Sequence, residues 1–188
     1  MANKVFIITG PSGVGKNHII NNVLSAVKNL TTIPTYTTRA PRKDDAINKN
    51  RICVTEIEYQ RMIESNELIE YKVYDNCYYG KRRIDFENAF ENNQNIILEI
   101  DTQGLLDYRK EFGDNLVSIF ICYENLDALR NRIKNSRPDM TTQDIESRYL
   151  IAKAEMEQKD SYDYCIINYE GKPEIAIKNV LDIIKESV

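Results

Sequence analysis

Lys4-Val-Phe-Ile-Ile-Thr9 runs straight into Gly10-Pro-Ser-Gly-Val-Gly-Lys16-Asn17. A short β-branched run of this kind is a strand buried in a parallel sheet. Gly10, Gly13 and Gly15 let the backbone curl so that several N–H groups face one point. Beyond Gly15, the apolar residues Ile19, Ile20, Val23, Leu24 and Val27 recur at helical spacing. A helix therefore follows, with the positive end of its dipole toward the loop. The order strand, glycine loop, helix is the setting of the phosphate-binding pattern G-x-x-x-x-G-K-[ST], met here at every place but the last. Lys16 supplies a mobile cation for β- and γ-phosphates. Asn17 stands where a hydroxyl normally ligates Mg2+, and an amide oxygen or waters can fill that place. Gly10, Pro11, Ser12, Gly13, Val14, Gly15, Lys16 and Asn17 are thus the expected ATP-binding loop. His18, the single histidine, falls on the first helical turn and reads as structural or solvent-facing.

Working outward, residues 33–83 have a different texture. Thr35 to Thr38 reads as extended, and Pro41 opens a polar loop reaching Arg51. Thr55 can cap a helix carrying Tyr59, Met62 and Ile63. Leu68 to Tyr74 reads as a strand. Beyond it, strands are expected at Asn95–Asp101, Leu116–Cys122 and Tyr164–Asn168. Helices are expected from Asp85, through Leu105 to Tyr108, at about 125–135 and 142–158, and from near Pro173. An irregular loop is expected at Asn135 to Thr141. Strands alternating with helices predict an α/β protein with a parallel sheet.

The 188 residues suit one core carrying small inserted lobes. The net charge of −4, with no large basic block, argues against general nucleic-acid binding. Cys53, Cys77, Cys122 and Cys165 have neither C-x-x-C nor zinc spacing, so they read as free thiols of a reducing cytosol. Cys122 and Cys165 are expected in buried strands. Val5 to Thr9 is too short for a signal sequence, and no apolar stretch reaches membrane-spanning length, so a cytoplasmic protein is expected.

Thr37-Thr-Arg39-Ala-Pro-Arg42 places two arginines three residues apart, and guanidinium groups bind phosphate oxygens bidentately. Glu99 and Asp101 stand at i and i+2 near the end of an expected core strand, on one face, where open α/β sheets bind ligands. With GPSGVGK at 10–16, TTRAPR at 37–42, ELIEY at 67–71, NCYYG at 76–80, LEIDTQG at 98–104 and the stretch from Arg132 to Arg148, the chain resembles guanylate kinase over nearly its whole length.

The resemblance implies a P-loop kinase: a three-layer α/β core with a parallel sheet, an inserted α+β acceptor-binding lobe and a helical lid. Its divisions would be core at 1–32, acceptor lobe at 33–83, core at 84–124, lid with flanking helices at 125–158 and core at 159–188. It implies transfer of a phosphoryl group from ATP to GMP and dGMP with Mg2+. Arg39, Arg42 and Tyr79 match the family's holders of the acceptor phosphate. Glu70 matches the carboxylate that reads guanine, accepting from N1–H and the 2-amino group. Thr35 falls near the base. Arg132, Arg137 and Arg148 match lid arginines that embrace the ATP phosphates, and Asn168 a position near the donor adenine. Lys16, Arg42, Arg137 and Arg148 form the implied catalytic set. Glu99 and Asp101 are assigned to the acceptor side, and Asp101 with Asn17 to the metal; which carboxylate supports the metal's waters stays open.

The chain departs from the pattern at Arg51 and Cys53, where the family has a tyrosine and an aromatic. It departs again at Lys81, where a small hydroxyl residue is common. Arg51 and Lys81 are counted as acceptor-binding, and they make that lobe more cationic. They leave open a related kinase acting on another phosphorylated acceptor, such as a ribose bisphosphate or another nucleotide. A non-catalytic phosphopeptide-binding module and a relative silenced by Asn17 are further readings. The expected partners are ATP and GMP, with no nucleic acid or membrane, in a monomer or homodimer.

Overall fold

The computed structural model describes residues 3–41, 50–136 and 141–188. β1 (Val5–Thr9) is buried at every residue. Its alternating side chains serve two cores, Phe6 and Ile8 facing one helical layer while Val5 and Ile7 face the other. Parallel pairing puts β1 between β7 (Asn95–Glu99) and β8 (Leu116–Cys122). The short β2 (Leu30–Thr31) and β9 (Tyr164–Ile167) complete an all-parallel sheet in the order β2-β7-β1-β8-β9. Helix α1 (Lys16–Ala26) and the C-terminal helix at Pro173–Ser187 supply one layer through Ile19, Val23, Ala176, Val180 and Ile184. The opposite layer centres on Phe86, Ala89, Leu105 and Tyr108. Those residues sit on α3 (Arg83–Glu91) and α4 (Leu105–Phe112).

A second sheet forms its own unit. Its order is β4-β3-β6-β5, from β3 (Thr35–Thr37), β4 (Arg51–Cys53), β5 (Leu68–Tyr74) and β6 (Cys77–Arg82). Helix α2 (Glu56–Glu64) covers one face, where Tyr36, Tyr59 and Leu68 pack with Met62, Ile63 and Tyr78. Thr55 starts α2 as expected: its hydroxyl accepts from the Glu58 N–H, and the Glu58 carboxylate accepts from the Thr55 N–H. The remaining helices are α5 (Leu126–Ser136) and α6 (Thr142–Met156), with α7 the helix that Pro173 opens.

Three expectations need correction. The Asn95 strand ends at Glu99; Ile100 N–H still donates to Ile8 oxygen (3.2 Å), and Asp101 turns into the cleft. Helix α5 continues through Asn135 to Ser136, where an irregular loop was expected. Cys122 is buried but Cys165 is exposed, because β9 is an edge strand with one side open.

Candidate active site

The glycine loop is built by backbone conformations that only glycine adopts freely. Gly10 has φ 144°, and a Cβ there would lie 2.1 Å from the Ile121 carbonyl oxygen. Gly15 has φ 97° and its own Cβ would meet Asn168 Nδ2 at 2.9 Å, so the loop is clamped between β8 and the end of β9. Val14 oxygen accepts from Asn168 Nδ2 (2.7 Å) and from Arg132 (3.4 Å). Arg132 also donates to Tyr169 oxygen (3.3 Å) and lies over the Tyr123 ring. Burial pushes the Tyr123 hydroxyl up to about 12. It therefore stays protonated and donates to Ser12 oxygen (3.0 Å). The loop is fastened from behind, and its front is left to a ligand.

Lys16 Nζ donates to the carbonyls of Gly10 (2.6 Å) and Pro11 (3.1 Å) and pairs with Glu99 at 3.4 Å. A cleft of about 230 Å3 opens here, lined by Thr9, Gly10, Ser12, Lys16, Glu99 and Asp101, with Glu155. Glu155 reaches in from α6, along the helix face that also carries Arg148, whose guanidinium stands 3.5 Å from Ser12 Oγ. Burial raises the Glu155 carboxyl above its ordinary range, against the pull of Lys16.

Across the cleft stands the uncovered face of the second sheet. The pairing register puts Arg51 opposite Thr35 and Lys81 opposite Glu70. The next row holds Cys53, Thr37, Tyr79 and Lys72. Opposed residues project to the same face. Lys81 Nζ donates to Thr35 Oγ1 (3.0 Å), which joins the first row side by side, and to Ile33 oxygen (2.8 Å). Lys72 forms an ion pair with Asp101 that joins this lobe to the core. Burial works against the charged form of Asp101, but the Lys72 ammonium and the N–H groups of Gly104 and Gln103 outweigh it and hold the carboxyl below its usual range. Burial raises the Glu70 carboxyl, opposed by Lys72 and Lys81, and Tyr108 Oη stands 3.5 Å away. A cleft of about 510 Å3 is lined by Arg39, Arg51, Lys72, Tyr79, Asp101 and Gln103. Asp101 lines this cleft and the phosphate-loop cleft alike, so it stands on the boundary between the two.

The sequence model of the family described as guanylate kinase matches residues 2–187. The guanylate kinase of Oceanobacillus iheyensis is 35% identical over 181 residues, covering 96% of this chain and 86% of that protein. The guanylate kinase of Francisella tularensis is 34% identical over 172 residues, 89% of this chain and 90% of its own length. The chain belongs to the guanylate kinase family. A crystal structure of guanylate kinase from Anaplasma phagocytophilum superimposes with a TM-score of 0.73 at 25% identity, covering 98% of this chain and 86% of that one.

For a member of the guanylate kinase family, the placement of the expected residues is informative. Gly10 to Lys16 form the cradle, with Asn17 exposed on the first turn of α1. Thr35, Arg51, Glu70 and Lys81 share one row, and Tyr79 stands in the next. Glu99 and Asp101 diverge: the first turns to Lys16, the second to Lys72. Arg148 reaches the loop, while Arg132 braces it from behind. Arg42 and Arg137 lie outside the described residues. Sequence reasoning missed Lys72 and Glu155. Lys72 carries a signal in hindsight, because it stands at i+2 from Glu70 on one strand. Glu155 stands seven residues beyond Arg148, at helical spacing.

Proposed function

We propose that the protein transfers the γ-phosphoryl group of ATP to GMP. The observation that carries this reading is the pair of clefts with Asp101 on their boundary, one walled by a phosphate-binding loop and the other by Arg39, Arg51, Tyr79 and Glu70's strand. Such an arrangement suits two anionic substrates held end to end. An oxygen of the acceptor phosphate bonds to the γ-phosphorus as the bond to the β–γ bridging oxygen breaks, leaving ADP and GDP. The reaction asks mainly for positioning and charge neutralisation. Lys16 can exchange its two loop carbonyls for phosphate oxygens, and Arg148 approaches from the opposite wall. Arg39, Tyr79 and Arg51 hold the acceptor phosphate; Glu70 accepts from the N1–H and 2-amino groups of guanine.

The residues present fit Mg2+ as a partner of the ATP phosphates. Among the described residues no cluster of three or more protein ligands could cage a metal. Mg2+ commonly keeps waters and takes few carboxylates alongside substrate phosphates. Glu99, beside Lys16, and the exposed amide of Asn17 are placed to support those waters. Asp101, engaged by Lys72, is placed toward the acceptor. When bound, the ion neutralises charge on the transferring phosphate. No helix of the described residues is long and apolar enough to cross a membrane.

Glu70→Gln tests the acceptor half. An amide oxygen accepts but its NH2 opposes the guanine donors, so preference for GMP over AMP should drop by about 1–3 kcal/mol. Unchanged preference removes Glu70 from base recognition.

A further inference from the structure

Cys122 and Cys165 take no part in the site described above, yet they stand together just behind its phosphate loop. Their sulfurs are 3.3 Å apart, on the neighbouring strands β8 and β9. One member is open and the other closed. Cys165 is exposed on the edge strand, while Cys122 is 3% exposed and its thiol reaches Ile166 oxygen (3.4 Å). Burial, with the neighbouring sulfur, pushes the Cys122 thiol up, so it keeps its proton.

Register decides what a bond between them would do. Cys165 pairs with Phe120, and Cys122 pairs with Ile167. The cysteines are thus diagonal neighbours, one strand apart and two residues out of step. At about 4.8 Å across and about 3.3 Å per residue along, their α-carbons lie roughly 8 Å apart. A disulfide spans at most about 6.8 Å between α-carbons, so it closes only if β9 advances along β8 by about 2 Å. β9 is four residues long and pairs with β8 alone among the described strands, so few hydrogen bonds resist that slide. Ahead of β9 lies the clamp on the loop. Asn168 N–H donates to Cys122 oxygen (2.9 Å), and Asn168 Nδ2 donates to Val14 oxygen. The clamp has no slack, since Asn168 Nδ2 is the atom that a Cβ on Gly15 would meet. An advance of β9 either breaks the Asn168 bond to Val14 or drives Asn168 into the loop at Gly15. Both outcomes disturb the curl that turns the loop N–H groups toward phosphate.

We infer that Cys122 and Cys165 form a peroxide-sensitive dithiol, an oxidation site whose disulfide loosens the grip of the phosphate loop on ATP. The Cys165 sulfur, as thiolate, attacks one oxygen of a hydroperoxide. The O–O bond breaks, the departing oxygen takes up a proton, and Cys165 becomes a sulfenic acid. The Cys122 sulfur then displaces the sulfenic hydroxyl, and its proton leaves with that hydroxyl as water. The two thiols lose two electrons in all, and hydrogen peroxide is reduced to water. A thiol reductant reverses the change. Disulfides of reducing compartments are transient ones of this sort.

The test treats wild type and Cys165→Ser with hydrogen peroxide. Each is mapped for crosslinked peptides by mass spectrometry and titrated with ATP in a calorimeter, before and after dithiothreitol. In the wild type a peptide pair joined through residues 122 and 165 should appear. The Kd for ATP should rise by roughly three- to tenfold, as the loss of one hydrogen bond gives, and reductant should restore it. Cys165→Ser, which changes only an exposed sulfur, should match untreated wild type in ATP affinity and hold that affinity through peroxide. A treated wild type whose Cys122 thiol stays free overturns the inference. So does a crosslinked enzyme with unchanged ATP affinity. So does an equal loss of affinity in Cys165→Ser, which would place the sensitive group elsewhere. The inference rests on the ATP half of the proposed function. Untreated wild type that binds no ATP would overturn that reading and this inference together, whereas the other failures leave the reading intact.

Discussion

Replacing Lys81 with methionine should change the way stability depends on pH. In the folded protein burial holds the Lys81 ammonium near 8, against an ordinary 10.5. Below about pH 8 both folded and unfolded chains carry the proton, and the folded state bears the cost of a buried cation. Between about 8 and 10.5 the unfolded chain keeps the proton that the folded chain has released. Stability gained from this site therefore rises with pH through that window, by about 1.4 kcal/mol per pH unit. Across the whole window this comes to about 3 kcal/mol. For a chain of this length that is about 6–12 °C in melting temperature. Urea or thermal denaturation of wild type and Lys81→Met from pH 7 to 10.5 measures the difference, because exposed lysines and tyrosines titrate alike in both. The wild type should gain on the variant by about 3 kcal/mol between the ends. A difference that stays flat across the window would show that Lys81 is solvated and would refute the burial argument.

Gly10→Ala should cost about 3 kcal/mol or more, since it adds a Cβ 2.1 Å from the Ile121 oxygen at a φ of 144°; a melting temperature within a degree of wild type would contradict the packing of the loop on β8. Lys72→Ala removes an ion pair whose side chains are nearly half exposed, so stability should change by less than about 1 kcal/mol. The same change should let the Asp101 carboxyl rise toward its usual range in an NMR titration. Asn17→Ser restores a hydroxyl beside Lys16 and should lower the Mg2+ concentration needed for half-maximal turnover; an unchanged requirement would show that the hydroxyl has no part here.

The core was legible where one residue pattern decided one element. The apolar runs Leu68–Tyr74 and Leu116–Cys122 became strands at the expected residues, and Thr55 with Glu58 marked a helix start. Strand β6 escaped because Cys77-Tyr-Tyr-Gly-Lys-Arg82 mixes aromatics, a glycine and cations; its pairing comes from β5 and β3 on either side. Strands β2 and β4 are too short to carry a period. In the site, the phosphate loop is a local motif and could be read directly. The Lys72–Asp101 pair joins residues 29 apart through tertiary structure, which no spacing rule reports. Lys81 was recognised as unusual, but lysines are nearly always exposed, and only the folded chain reveals its burial against Ile33 and Thr35.

A coupled spectrophotometric assay of ADP release, run with Mg2+ and ATP across GMP, AMP, UMP and ribose bisphosphate, addresses the account most directly. GMP should turn over well ahead of every other acceptor, and omission of Mg2+ should abolish the reaction. Equal turnover of GMP and AMP, or faster turnover of the ribose bisphosphate, would contradict it.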